Sequence, residues 1–445
     1  MLIQYLAIVI LVILSIYAIF DVKKAILIWL PFKLLFNNQI AVRYESPGMA
    51  LVIAGDIALF LIFILRNDKR KGMYKGEFPF TNSMIAFGIS YFVSLIFTIA
   101  PYQTAIIAVV KYFSSGFCML YLAHKVFRSK KDIHFFLKCC LIVSVLIVSL
   151  AIIENILKTN PWLDFVYFNS PYDPDAGRMF YFPGAERLRY GFIRAQSFFG
   201  FHVPFGFACV CLYWMLFYCY KNVREFKKSN LLLIISTMLI AGVIMSNSKQ
   251  AYIGLLLMIL SLYPLKSVFN IKIVLPVLII LFVVFVYAPD YLNNYLSLTD
   301  KNLAEEGGGS TVALRESQYR IAWRMFLQSP IIGNGISSID VLKHHVTNED
   351  IFGAESSWLR ILPERGILGA IVYLYLYTEL WKMKRFVDKK TLFFFLLSVF
   401  VMELSGGIKD LSIWCLVLLT VYRYNQLTNK DKKRKIRELT RTAEK

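Results

Sequence analysis

Apolar stretches of about 16–24 residues recur along the chain, each closed by a short run of polar or basic residues. The stretches are continuous, without the in-out alternation of barrel strands, so helices are the form that satisfies their backbone polar groups in lipid. About 20 such residues cross a hydrocarbon layer of about 30 Å. The pattern predicts spans over 3–20, 25–42, 48–65, 80–99, 102–123, 137–158, 201–220, 231–247, 250–265, 272–288, 357–380, 391–406 and 409–424. Pro31 and Lys33 interrupt the second, which fits a re-entrant pair. The expected fold is an all-α polytopic membrane protein of about 12–13 transmembrane helices, with two large external loops that carry short amphipathic helices.

The spans divide the chain into six parts. Residues 1–158 hold the N-terminal transmembrane helices, 159–200 the first large loop and 201–288 the central helices. Residues 289–356 form the second large loop, 357–424 the C-terminal helices and 425–445 a basic tail. Residues 1–20 have no basic leader and no small-residue cleavage site, so they are expected to be a retained first span.

Composition agrees: 58% of the 445 residues are hydrophobic and the mean hydropathy is +0.57. The net charge of +20 raises the question of nucleic acid, and its placement answers it. Basic residues cluster in the short loops Arg66 to Lys75, Lys125 to Lys131, Lys221 to Lys228 and Lys382 to Lys390, and in the tail from Lys430. Positive charge flanking spans is retained on the cytoplasmic side and meets anionic headgroups. A lipid bilayer is therefore the expected partner, and nucleic acid is not. The seven cysteines (Cys118, Cys139, Cys140, Cys209, Cys211, Cys219, Cys415) lie inside apolar runs without CxxC spacing and read as small core residues.

With the basic loops inside, the two large loops fall outside, where the charge rule predicts few arginines. They carry Arg178, Arg187, Arg189, Arg194, Arg315, Arg320 and Arg324. Guanidinium groups bind phosphate bidentately and stay charged, so an anionic ligand is the simplest reason for them. In the second loop, Tyr319, Ala322, Trp323, Phe326 and Leu327 share a helical face, and Pro330-Ile331-Ile332-Gly333-Asn334-Gly335 closes the helix in a turn. An interfacial helix anchored by basic residues is the simpler reading of that segment. Glu355 stands where the chain re-enters the membrane: partial desolvation there makes a carboxylate a better base, and an acid ahead of a helix N-terminus equally suits the helix dipole. Asp173-Pro174-Asp175 has the look of a metal-binding DxD pair but reads as a turn in a Pro-rich loop. Gly307-Gly308-Gly309 lacks the Lys of a phosphate loop, and no cluster has metal-ligand spacing, so no cofactor and no metal are expected.

The order Arg315, Pro330 to Gly335, Glu355-Ser356-Ser357-Trp358-Leu359, Glu364-Arg365-Gly366-Ile367-Leu368-Gly369 resembles the signature region of the O-antigen polymerase and O-antigen ligase superfamily. Arg194-Ala195-Gln196-Ser197 resembles that family's first-loop arginine, and Ser248-Lys249 stands where many members have Ser-Arg. Arg189 to Gly200 and Arg324 to Gly335 both fit an Arg-x10-Gly pattern similar to paired loop motifs of some polymerases. The resemblance covers roughly residues 185–380. Ligases of the family typically carry His at the position of Glu355, which tilts this chain towards a polymerase; His344 and His345 lie upstream as alternative bases.

What the resemblance implies is a metal-independent membrane glycosyltransferase of the bacterial inner membrane, working on the periplasmic side, with a cytoplasmic C-terminus. Undecaprenyl-diphosphate-linked oligosaccharide would be both donor and acceptor, with a chain-length regulator and a flippase as neighbours. Arg194 and Arg315, helped by Arg189, Lys249 and Arg324, would hold the diphosphate, and Glu355 would take the proton of the attacking hydroxyl. Aromatic residues Tyr167, Phe168, Tyr172, Phe180, Tyr181 and Phe182 suit sugar stacking or an interfacial belt. A ligase and a lipid-linked oligosaccharide flippase are the alternatives. A transporter needs polar groups gathered in mid-span; Asp56, Lys111 and Glu154, the main ionisable groups there, show no such gathering in the sequence.

Overall fold

The computed structural model describes residues 2–36, 40–44, 48–66, 74, 76–170, 188–189, 192–221, 231–263, 312–339, 341, 356–405 and 411–443. For 188, 189, 192, 231, 232, 312–315, 405, 411, 412 and 432–443 the backbone alone is described. Among the described residues the architecture is helical apart from two short two-stranded ribbons, β1 (Ala41–Arg43) with β2 (Met49–Ala50) and β3 (Leu188–Arg189) with β4 (Phe192–Ile193). In chain order the helices are α1 (Leu2–Phe32), α2 (Leu51–Leu65), α3 (Thr81–Ile96), α4 (Tyr102–Lys111), α5 (Met119–Val126), α6 (Lys130–Leu157), α7 (Pro161–Asn169), α8 (His202–Lys221), α9 (Leu231–Ser246), α10 (Lys249–Leu262), α11 (Val312–Gln328), α12 (Ser357–Trp381), α13 (Lys389–Ser405) and α14 (Leu411–Ala443).

Among the described residues four helices are long and apolar enough to cross a membrane: Leu2–Leu35, Tyr102–Val126, Lys130–Leu157 and His202–Lys221. Shorter apolar helices accompany them, and the chain is an all-α polytopic membrane protein. The expected span over 272–288 lies outside the described residues.

The first two expected spans are the two arms of α1. Asp21 leaves the helical region (φ −143°, ψ 82°) and its carboxylate accepts from the Lys24 amide, capping a second helix. Gln4 Nε2 donates to the Val42 carbonyl at 3.2 Å. The helix is kinked at Asp21. α6 begins in a capping box in which Ser129 Oγ accepts from the Asp132 amide and Asp132 accepts from the Ser129 amide. α8 is apolar on every side and is accordingly buried at the centre, against α6, α9, α10 and α14.

The basic loops meet at one end of the bundle. There Tyr74 N donates to Lys125 O, Arg423 donates to Phe127 O and lies over the Tyr74 ring, Asn425 donates to Phe386 O, and Lys221 donates to Leu262 O.

Of the in-span ionisable groups, Asp56 has partners that its place in the sequence does not reveal. Asp56 is fully buried, and its carboxylate accepts from Trp29 Nε1 at 2.7 Å and Ser115 Oγ at 2.6 Å and pairs with Lys33 Nζ at 3.4 Å. Ser115 belongs to a π-helical turn, Tyr112–Cys118, that joins α4 to α5. The partners come from three separate elements, which is why spacing along the chain conceals them. An adjoining cavity of about 30 Å³ is bounded by Lys33 and by apolar side chains such as Leu30, Phe136, Cys211 and Leu416. Asp56→Ala strands the buried Lys33 ammonium and is expected to cost about 3–5 kcal/mol. The paired change Lys33→Met with Asp56→Leu is expected to regain most of that loss, as read by the thermal unfolding midpoint in detergent.

Candidate active site

The far end of the bundle, away from the basic loops, gathers the arginine-bearing elements. β4 ends at Ile193, and Arg194, half-buried, follows it. Ala195 N donates to Met245 O at 2.9 Å, tying this segment to the end of α9. The chain turns through Asn247, at φ 47°, and Lys249 opens α10. Arg194 and Lys249 are thus brought to the same corner.

The start of α12 reaches the same level by register. Between α10 and α13, Ser398 Oγ donates to Gly254 O and Thr391 Oγ1 to Ser261 O. Continuing that antiparallel register sets Glu403 opposite Lys249, and the Glu403 carbonyl accepts from Ser356 Oγ at 3.1 Å. Ser356 is the N-cap of α12, its Oγ accepting from Leu359 N. α8, α10 and α12 all start at this end, so three helix N-termini add their partial positive charge to that of Arg194 and Lys249. Such an end suits an anionic group.

α11 and the turn after it are fixed by a backbone exchange with α12. Gly366 departs from helical geometry (φ 61°, ψ −159°), so the amides of Ile367 and Leu368 lose their helical acceptors, Pro363 O and Glu364 O. Ile367 N donates to Pro330 O and Leu368 N to Ile331 O; in return Pro363 O accepts from Asn334 N and Glu364 O from Gly335 N. No amide or carbonyl of that exchange is left unpaired. Ser94 Oγ also donates to Glu364 O, and Ile99 N to Asn334 O, which joins α3 to the same knot. A side chain on Gly366 would meet Ile331 O, and one on Gly335 (φ 92°) would meet the Thr98 backbone.

The amphipathic face expected for α11 is corrected in part. Ile321, Ala322, Met325 and Phe326 are buried, with α12 packed against this helix, whereas Tyr319, Trp323 and Leu327 form an exposed stripe at i, i+4, i+8. The helix has two apolar stripes rather than one, the second exposed beside the surface residues Arg320 and Arg324 in the manner of an interfacial helix.

Of the residues expected to do chemistry, Arg194 and Lys249 lie on neighbouring segments joined by the Ala195–Met245 bond, and Arg324 lies exposed on α11. Arg189 is placed in β3 and Arg315 in the first turn of α11 by backbone alone. Glu355, His344 and His345 lie outside the described residues, as does Asp173-Pro174-Asp175. Sequence reasoning missed the part played by Glu154. It is fully buried in α6, and Oε2 accepts from Gln196 N, Ser197 N and Asn160 Nδ2 at 2.9, 2.9 and 3.0 Å. A carboxylate near the end of an apolar span is the signal that was there to find it.

Fold and site together define a multi-pass helical membrane protein with a cationic corner at the end opposite its basic loops. Residues 232–374, about a third of the chain, match the family model described as O-antigen ligase, so the resemblance to the O-antigen polymerase and ligase superfamily is shown over that segment. At the level of that family the match supports an O-antigen polymerase or ligase, a glycosyltransferase-like enzyme. The matched segment contains Lys249, Arg315, Arg324, the Pro330 to Gly335 turn and Glu355; Arg189 and Arg194 precede it. No curated protein matches the chain.

Proposed function

We propose that this protein is an O-antigen, or related surface polysaccharide, polymerase. It joins undecaprenyl-diphosphate-linked repeat units on the periplasmic face of the inner membrane, moving the growing chain onto the non-reducing end of a new lipid-linked unit. The observation that carries the reading is the convergence of the Arg194 segment, Lys249 and the start of α12 at the end away from the basic loops. The C-terminal tail is then cytoplasmic.

Transfer requires the diphosphate leaving group to be stabilised as its bond to the sugar breaks. Arg194 and Arg315, with Arg189, Lys249 and Arg324 in support, supply that charge, which gains strength where water is scarce. Glu355 accepts the proton of the attacking sugar hydroxyl as the new glycosidic bond forms. Arginines that neutralise the diphosphate make a metal unnecessary. A chain-length regulator and a flippase are the expected protein neighbours.

The ligase reading is favoured by the description of the matching family, and differs in acceptor: lipid A-core instead of a second lipid-linked unit. Purified protein given the lipid-linked repeat unit alone is expected to make longer lipid-linked oligomers. Transfer only after lipid A-core is added would establish the ligase. Glu355→Gln is expected to lower the rate of oligomer formation about 10²–10⁴-fold at unchanged protein level; full activity would remove the base assignment.

A further inference from the structure

Beyond the residues assigned to the diphosphate, the structure shows a device that closes the base of the first large loop. Asn160 stands at its start and Ser197 just beyond Arg194 at its end. Asn160 Oδ1 caps α7 by accepting from Leu163 N at 2.9 Å, while Nδ2 donates both to Glu154 and to Ser197 O at 2.9 Å. Glu154 accepts the two consecutive amides of Gln196 and Ser197 on the same oxygen. Ser197 is held at φ 51° and its Oγ donates to Ile147 O at 2.7 Å. Two adjacent amides turned towards one acceptor require a tight turn, and a carboxylate is the strongest side-chain acceptor available for them. Arg194 lies two residues before that turn, and Ala195 N is fixed from the other side by Met245 O. The backbone that carries the guanidinium is therefore pinned on both sides by buried bonds.

We propose that Glu154, with Asn160, is the positioning residue of Arg194: its carboxylate sets the backbone from which the guanidinium meets the diphosphate of the lipid-linked donor. The inference rests on the reading of Arg194 given above. A side chain that merely stabilises the bundle lowers yield and melting temperature alike wherever it sits. A positioning residue changes the use of one substrate group, and its effect disappears once that group's partner is already impaired.

The test is a kinetic cycle on the purified full-length protein in lipid nanodiscs, with the lipid-linked repeat unit as substrate. Glu154→Ala is expected to lower kcat for the lipid-linked unit about tenfold with a smaller rise in KM, and Glu154→Gln to restore most of the loss because its amide oxygen accepts the same two N–H groups. In an Arg194→Lys background, Glu154→Ala is expected to cost less than about twofold more. Hydrogen exchange at Gln196 and Ser197 is expected to be slow in the unchanged protein and fast in Glu154→Ala. If Glu154→Ala does not accumulate, Glu154→Asp, which withdraws the carboxylate by one methylene, carries the same cycle with a smaller expected fall of a few-fold.

Equal losses from Glu154→Ala in both backgrounds would overturn the positioning role, and so would unchanged kinetics alongside fast exchange at residues 196 and 197. Unimpaired kinetics of Arg194→Lys and Arg194→Ala themselves is a different result: it overturns the diphosphate reading of Arg194, and the inference with it.

Discussion

Arg194→Ala and Arg315→Ala are each expected to leave cells without surface polymer while the protein stays in the membrane at normal level. The reason is electrostatic. A departing undecaprenyl diphosphate carries at least two negative charges, and a fixed guanidinium stabilises them without reorganising at the moment of transfer. Removing one such donor costs about 10²–10³ in rate, or about 3–4 kcal/mol of barrier. A chain built by repeated transfer is more sensitive still, since every addition is slowed. Lysine at either position keeps the charge and loses the two-pronged geometry, so an intermediate rate with shorter chains is expected. The readout is the glycolipid ladder on a gel beside an immunoblot of membrane fractions. Normal chain lengths from either alanine variant would remove that arginine from the diphosphate.

The second large effect is structural. Gly335→Ala places a methyl group against the Thr98 backbone at a residue whose φ of 92° already disfavours a side chain. The Thr98 backbone is not the end of a flexible side chain, so relief requires the turn to withdraw from the end of α3 and from α12. That breaks the exchange in which Gly335 N donates to Glu364 O and Ile336 N to Ser94 O. A loss of about 2–4 kcal/mol follows, from backbone strain together with buried amides left unpaired. Gly116→Ala is the control: its nearest neighbour would be the Tyr112 ring at 3.6 Å, an ordinary contact. Thermal unfolding midpoints in detergent are expected to fall by several degrees for Gly335→Ala and to stay close to the unchanged protein for Gly116→Ala.

These two predictions divide the resemblance into parts of different kinds. Arg315 and Glu355 bear the charges that the proposed transfer calls on. The turn from Pro330 to Gly335 and the Gly366 break are architecture, since their backbone groups exchange partners with each other. Glycine punctuation after an amphipathic segment made the turn legible in the sequence. Its partner was not legible, because the exchange joins segments about thirty residues or more apart and involves no side-chain pattern.

The membrane helices were legible for the opposite reason. Hydropathy is a property of each segment alone, and the starts of α2, α3, α8, α12 and α13 lie within a few residues of the expected positions. The second expected span, 25–42, is α-helical only as far as Phe32, after Asp21 ends one apolar run and caps the next; Lys33–Leu35 is a 3-10 turn and Ala41–Arg43 a strand. What hydropathy conceals is which polar group faces which. The pairing of Lys33 with Asp56 is hidden in the sequence because it depends on how the end of α1 packs on α2. Glu154 read as an isolated acid because its partners are backbone amides more than forty residues away. The α11 face was half legible: Ala322 and Phe326 are buried as expected, while Tyr319, Trp323 and Leu327 are exposed. A helix sandwiched between a protein surface and a lipid surface has two apolar stripes, and periodicity merges them.

The measurement that bears most directly on the polymerase reading compares surface glycolipid and extracted lipid-linked intermediates from a strain lacking this protein. The account predicts surface lipid that carries one repeat unit and no ladder, restored to a full ladder by the unchanged gene. Long chains held on undecaprenyl diphosphate, with none on the surface acceptor, would contradict it and make the protein a ligase. Single units retained inside the cell would contradict both and make it the transporter.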